Sequence, residues 1–261
     1  MTTLKSAAEP HRTLFGLKVD ALTLDETVRR CISAAEARQP LEVGVINAAK
    51  VVKMRRDEEL RAAVAGCDVI VADGQSVVWA SKLLRAPLPE RVAGIDLFQQ
   101  LLVEAERKGL SVFFLGAKED VLAEMVRRMR TWYPKLTIAG SRNGYFTDDE
   151  AGAVADEVRA SGASLLFLGM TSPKKEIFCA EYGRRTGASL VHGVGGSIDI
   201  MSGITRRAPR AWQKLGMEWA YRTVQEPGRM LPRYLRTNTA FIALVAREWL
   251  RGLTRRKART A

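Results

Sequence analysis

Ser164-Leu165-Leu166-Phe167-Leu168-Gly169 is an apolar run that stops on glycine, and Ser189-Leu190-Val191-His192-Gly193-Val194 repeats the form after a helical stretch at Lys174–Arg185. Two short β-rich runs joined by a helix of that length read as parallel neighbours, because a parallel pair needs a crossover connection. The same alternation extends upstream. Strands are expected at Val43–Asn47, Val69–Ala72, Ser111–Leu115, Thr137–Ser141, Ser164–Leu168 and Ser189–Val194. Helices are expected at Leu60–Ala65, Ser76–Leu84, Asp96–Lys108, Val121–Trp132, Asp148–Ser161 and Lys174–Arg185. Thr147 before Asp148-Asp149-Glu150 reads as an N-cap followed by first-turn acids, and Gly109, Gly162 and Gly187 read as C-caps. The fold class is therefore α/β: a mostly parallel, Rossmann-like sheet with flanking helices, spanning residues 1–205.

Composition sets the outer bounds. With 261 residues the chain can bury a full core, and 47% apolar with 27% charged residues is a globular balance. Cys31, Cys67 and Cys179 are scattered and form no CxxC pair, which suits reduced thiols in a cytoplasm rather than a disulfide framework or zinc site. Only His11 and His192 are present, so chemistry needing a histidine cluster is disfavoured. The opening MTTLKSAAEPHRTLFG has no apolar core of a leader, and no stretch reaches the roughly 20 apolar residues of a membrane span.

Charge is unevenly spread. From Arg206 onward there are 14 Lys/Arg and three acids, which accounts for +11 of the net +12. Pro209–Gln225 is a helical pattern carrying Trp212, Leu215, Trp219 and Val224; Pro227-Gly228 breaks it and Pro232 limits the next segment. A last helix is expected at about Thr239–Leu253, mixing Phe241, Ile242, Leu244, Val245, Trp249 and Leu250 with arginines and running into Arg255-Arg256-Lys257 and Arg259. Residues 206–261 thus read as a basic helical appendage. Basic helices with an apolar side suit an anionic membrane surface, and a helical cap with a solvated basic face is the plainer alternative.

Ligands of open α/β sheets bind outside the carboxyl ends of the strands. The residues there are Asn47, Asp73-Gly74, Gly116, Gly169 with Ser172-Pro173, and Gly193–Gly196 with Asp199. Asp73 can act as a general base on an acceptor hydroxyl, or merely cap the helix that starts near Gln75. Gly193-Val194-Gly195-Gly196-Ser197 can let backbone amides approach phosphate, although it is not a GxGxxG run. Arg91 can neutralise a diphosphate or be a solvated surface residue. No GxxxxGK[ST] and no DxD sequence occurs. Two rival readings are a nicotinamide-dependent oxidoreductase, which lacks the glycine fingerprint after the first strand, and a nucleic-acid binder using the basic tail.

Several runs together resemble the WecG/TagA/CpsF glycosyltransferase family. They are Asp73-Gly74 with Val78-Trp79-Ala80-Ser81; Pro87 through Leu97, including Arg91; Gly169 with Pro173-Lys174-Lys175-Glu176, akin to the family's G-x-x-x-P-x-Q-E; Gly193 through Asp199; and Arg207-Ala208-Pro209 through Trp219, Arg222 and Gln225-Glu226-Pro227. The resemblance covers roughly Val43 to Arg236 in the family's order. It implies an inverting, metal-independent transfer, without cofactor, from a UDP-sugar to a polyprenyl-diphosphate-linked sugar at the inner face of the plasma membrane. By the same resemblance, Asp73 is the catalytic base and Asn47 neighbours the reacting sugar. Arg91, Gly169, Lys175, Gly195, Gly196 and Asp199 line the substrates, and Arg222, Arg229 and Arg233 of a membrane-docking appendage meet a diphosphate. The chain departs from the family at Val45-Ile46-Asn47-Ala48, where Thr-x-Asn-Pro is usual, and at Lys175, where glutamine is usual. The second departure favours a glucose-type donor over an N-acetylmannosamine-type one. Oligomeric state is left open.

Overall fold

The computed structural model describes residues 10–260; the side chains of Lys214, Arg229, Met230, Arg233 and residues 253–260 lie outside the description, as do residues 1–9. An antiparallel hairpin comes first, β1 (His11–Leu14) and β2 (Leu17–Asp20), then α1 (Leu24–Glu36). The main sheet is built from β3 (Leu41–Ile46), β4 (Val69–Ala72), β5 (Val112–Gly116), β6 (Ile138–Arg142), β7 (Leu165–Gly169) and β8 (Leu190–Gly193). Its six strands are all parallel in the order β4-β3-β8-β7-β5-β6. All six expected strands are present, with ends moved by at most two residues.

Helices cover both faces, as strands buried on two sides require. Val112, Phe114, Leu165, Phe167 and Leu190 point to one face, beneath α1, α5 (Gly94–Lys108) and α6 (Glu119–Trp132). Phe113, Leu115, Leu166, Leu168 and Val191 point to the other, beneath α7 (Ala151–Ser161) and α8 (Lys174–Tyr182). Farther along that second face, Ile46, Ile70 and Ala72 pack with α2 (Ala48–Lys53), α3 (Glu58–Ala65) and α4 (Gln75–Leu83). Thr147 forms a capping box with Glu150, and Gly109 and Gly162 close α5 and α7 in the left-handed conformation as expected; α8, however, ends at Tyr182 on Gly183, and Gly187 closes a separate 3-10 turn at Arg184–Thr186. The first turn after Thr147 is 3-10, so α7 itself begins at Ala151.

The carboxyl-terminal part follows α9 (Ser197–Met201) and differs from expectation in two ways. Pro209–Gln225 is not one helix but two, α10 (Arg210–Lys214) and α11 (Glu218–Gln225), parted where Gly216 takes a φ of +69°. Gly216 lies against Gln75 at the start of α4, so the turn is set by tertiary packing that periodicity does not encode. The break at Pro227 does occur, with Pro227 as the first residue of α12 (Pro227–Thr260), where its missing N–H is no loss. Pro232, however, lies inside α12 and does not end it. The helix continues past it although its ring removes the i→i−4 bond to Gly228 and crowds that carbonyl. Phe241, Leu244 and Val245 are buried against the α2 region, with the Phe241 ring 5.4 Å from that of Phe15. Among the described residues no helix is long and apolar enough to cross a membrane.

Candidate active site

The register of β3 and β4 decides the centre of the site. Ile46 pairs with Ala72, so the next residues, Asn47 and Asp73, leave the sheet side by side at its carboxyl edge. Asp73 N–H donates to the Ile46 carbonyl at 2.9 Å, which holds the two chain exits together. Gly74 packs against Asn47 so closely that a Cβ there would sit 3.1 Å from the Asn47 Cβ. Asp73 does not cap α4; Gly74 occupies that N-cap position with no side-chain bond. The Asp73 carboxylate reaches instead to the first turn of α5, where Oδ1 accepts from Gly94 N–H at 2.9 Å. Its Oδ2 has no hydrogen bond among the described residues. Asn47 Oδ1 caps α2 by accepting from Lys50 N–H at 3.0 Å, which fixes the side chain and leaves the amide nitrogen for a ligand.

Across the rim, the end of β7 meets the end of β5. Gly116 and Gly169 pair there, and a side chain on Gly169 would collide with Ile198 of α9. Gly169 is therefore a packing requirement of the rim. The Gly193–Gly196 loop follows β8, and Gly195 is left-handed. Val194 and Gly195 both donate their N–H to the Leu168 carbonyl, at 2.9 and 3.1 Å. Those amides are engaged inward, so the loop offers a ligand fewer donors than its glycines suggest. Asp199 stands on α9 beside Gly196, and its carbonyl accepts from Thr205 N–H at 3.0 Å.

A buried polar group sits between the two apolar clusters of the α2/α8 face. Glu176 Oε1 lies 2.7 Å from Lys50 Nζ and 2.6 Å from Lys175 Nζ. Burial works to raise the Glu176 pKa, but the two ammonium groups outweigh it and the carboxyl is held below its ordinary value. Burial, then Lys50, pushes Lys175 down to about 8. The sequence reading named Lys175 but not Lys50 or Glu176 as part of one group. His192, fully buried on β8 against Phe167, is a core residue: burial pushes its pKa down to about 4.

Arg91 is not an isolated surface cation. It pairs with Glu218 of α11, which Arg207 approaches through Nε at 3.4 Å while Arg207 Nη1 binds Asp96 of α5 at 2.7 Å. This chain of charges ties the carboxyl-terminal helices to the helix that holds Asp73. Glu218→Ala should cost about 1–3 kcal/mol, because a half-buried Arg91 loses its carboxylate. The expected readout is a melting temperature lower by several degrees and faster tryptic cleavage after residue 206; unchanged melting and cleavage would remove the network from the account. Arg222 is half-buried on α11, and Arg229 and Arg233 lie on α12 with side chains outside the description. Among the described residues, no cluster of three or more His, Cys, Asp or Glu is placed to share a metal ion.

The rim of the parallel sheet thus gathers a carboxylate fixed by Gly94, a neighbouring amide, and a cationic group beside a glycine loop. A search of family descriptions agrees, matching residues 12–255 to the glycosyl transferase WecG/TagA/CpsF family. The match replaces the nicotinamide-enzyme reading and spans nearly the whole chain, including the hairpin and most of α12. The chain belongs to the WecG/TagA/CpsF family and is a glycosyltransferase of cell-surface polysaccharide synthesis.

Proposed function

We propose that the enzyme transfers a sugar from a UDP-sugar to a polyprenyl-diphosphate-linked acceptor, with inversion and without a metal, while seated on an anionic membrane face. The observation that carries this is the Asn47–Asp73 pair at the joined ends of β3 and β4, with Asp73 anchored by Gly94 through one oxygen only. In the proposed step the other oxygen takes the proton of the acceptor hydroxyl. The acceptor oxygen then bonds to the donor's anomeric carbon as the bond to the nucleoside diphosphate breaks on the opposite face. Asn47 is fixed by its capping bond to meet a hydroxyl of the reacting sugar. Gly195, Gly196 and Asp199 border the nucleotide; Gly169 lets Ile198 of α9 pack onto the adjoining rim.

The second half of the proposal concerns residues 206–261 as a docking appendage distinct from the α/β part at 1–205. Trp212, Leu215, Trp219, Val224, Leu231 and Leu235 are exposed there, Val224 to 73%, in the same stretch of chain as Arg222 and the exposed Arg236. An apolar surface of this kind, mixed with cations, suits insertion among anionic headgroups. Arg222, Arg229 and Arg233 then lie where a lipid diphosphate enters, and Arg91 steadies that entrance through Glu218. A glucose-type donor is favoured over an N-acetylmannosamine-type one because Lys175 replaces an amide.

The test is UDP release with a panel of UDP-sugars and a synthetic lipid-diphosphate-sugar acceptor in anionic liposomes. Acceptor-dependent release with one donor is the expected result and identifies the sugar. Silence across the panel with folded, liposome-bound protein would overturn the reading. Leu231→Asp with Leu235→Asp should release the protein from liposomes of anionic lipid in a sedimentation assay; full retention would remove the docking half.

A further inference from the structure

The buried group on the α2/α8 face carries more positive than negative charge. Lys50, Lys175 and Glu176 are all at least nine-tenths buried, and one carboxylate serves two ammonium groups. A buried net charge is held at a cost, and an anion joining it would lower that cost. The two lysines are not equivalent. Lys50 Nζ also donates to the Val45 carbonyl at 2.7 Å, which ties it into the floor of the site. Among the described residues Lys175 Nζ is paired with Glu176 alone, its side chain keeps 10% of its surface exposed, and an ammonium has three protons to give.

Position adds the second argument. Lys175 lies in the first turn of α8, at the carboxyl edge of the sheet, and its stem runs along the glycine loop. A Cβ on Gly193 would be 3.3 Å from Lys175 Cδ and Cε, and one on Gly195 would be 3.8 Å from Cε. The amides of Val194 and Gly195 are spent on Leu168, so positive charge at this edge comes from the side chain. Nearby cations have other partners: Lys53 reaches the Ser172 carbonyl at 3.3 Å, and Lys174 binds the carbonyls of Gly144 and Phe146.

We propose that Lys175 is a diphosphate-binding residue, held in place by Glu176 while Lys50 completes the neutralisation of that carboxylate. A chain with glutamine at this position would offer a neutral amide; this chain offers a charge-assisted donor, suited to an anion that bears two negative phosphates. The inference rests on the proposed reaction only for the source of the diphosphate, which is either the leaving nucleotide or the lipid-linked acceptor.

The experiment measures binding by calorimetry of inorganic pyrophosphate, UDP, uridine and a short-chain prenyl diphosphate to the full chain and to Lys175→Gln and Lys175→Arg. Lys175→Gln should weaken pyrophosphate and at least one of the two organic diphosphates by roughly tenfold and leave uridine unchanged. Loss confined to UDP assigns the donor; loss confined to the prenyl diphosphate assigns the acceptor. Lys175→Arg should keep most of the affinity. Undiminished binding of all three diphosphates to folded Lys175→Gln would overturn the assignment, even if sugar transfer is demonstrated. Conversely, a Lys175-dependent pyrophosphate site in a protein that transfers no sugar would leave this site standing and remove the proposed reaction.

Discussion

Replacing Asp73 by asparagine should lower turnover by about 10²–10⁴-fold while leaving the fold and donor binding in place. The separation is possible because the two oxygens of Asp73 have different duties. Oδ1 accepts from Gly94 N–H, and an asparagine Oδ1 can accept the same bond, so the link between β4 and α5 survives. What asparagine lacks is a basic oxygen able to take a proton from the acceptor hydroxyl. Turnover should therefore fall with little change in the affinity for UDP-sugar, and thermal melting should stay close to that of the parent. Near-parental turnover would mean that the proton leaves by another route, and Asp73 would revert to a structural link between β4 and α5.

Gly116→Ala should have the largest effect on stability, about 4 kcal/mol or more, which lowers the melting temperature by roughly 10 °C or abolishes soluble protein. Gly116 has a φ of +146°, a conformation that residues with a Cβ rarely adopt, and its pairing partner is Gly169. A methyl group there would stand 2.5 Å from the Gly169 Cα and 2.6 Å from its nitrogen. Backbone atoms cannot swing aside as side chains do, so β5 and β7 must part at their carboxyl ends. The rim carrying Gly169 and Met170 would shift with them, and activity should fall even in whatever folds. A melting curve within a degree or two of the parent would show that the two strands tolerate separation and that the rim is softer than its contacts indicate.

The sheet was legible because β4, β5 and β7 are buried on both faces. Val69–Ala72 and Leu165–Leu168 are continuous apolar runs bounded by polar or glycine punctuation, the signature of a central parallel strand. The first hairpin was not legible. Its turn is Phe15-Gly16, with φ of +55° and +77°, and a phenylalanine disguises a turn that usually announces itself with Asn or Asp. Burying that ring against Phe241 offsets the strained backbone, and nothing local in the sequence signals a partner so distant. Helix α1 was missed although Thr23 and Glu26 form a capping box, a signal within reach of inspection. In the site, strand ends pointed to Asn47, Asp73, Gly169 and the Gly193–Gly196 loop, since a parallel sheet puts all carboxyl ends on one edge. Partnerships were hidden: that Asp73 reaches α5, that Arg91 meets Glu218, and that Lys50 joins Lys175 on one carboxylate depend on the packing of separate elements. The usual proline after Asn47 is replaced by Ala48 at the first position of α2, where neither residue needs an N–H partner, so that departure leaves the cap intact.

Helix α2 is six residues long, about 9 Å at 1.5 Å per residue, with Asn47 as its N-cap and Ala48 and Val51 in the apolar cluster that also holds Phe241, Leu244 and Val245 of α12. One short helix thus joins α12 to Asn47, a residue of the proposed site. Phe241→Ala or Leu244→Ala, remote from Asp73 along the chain, should then lower turnover as well as the melting temperature, since both side chains are buried.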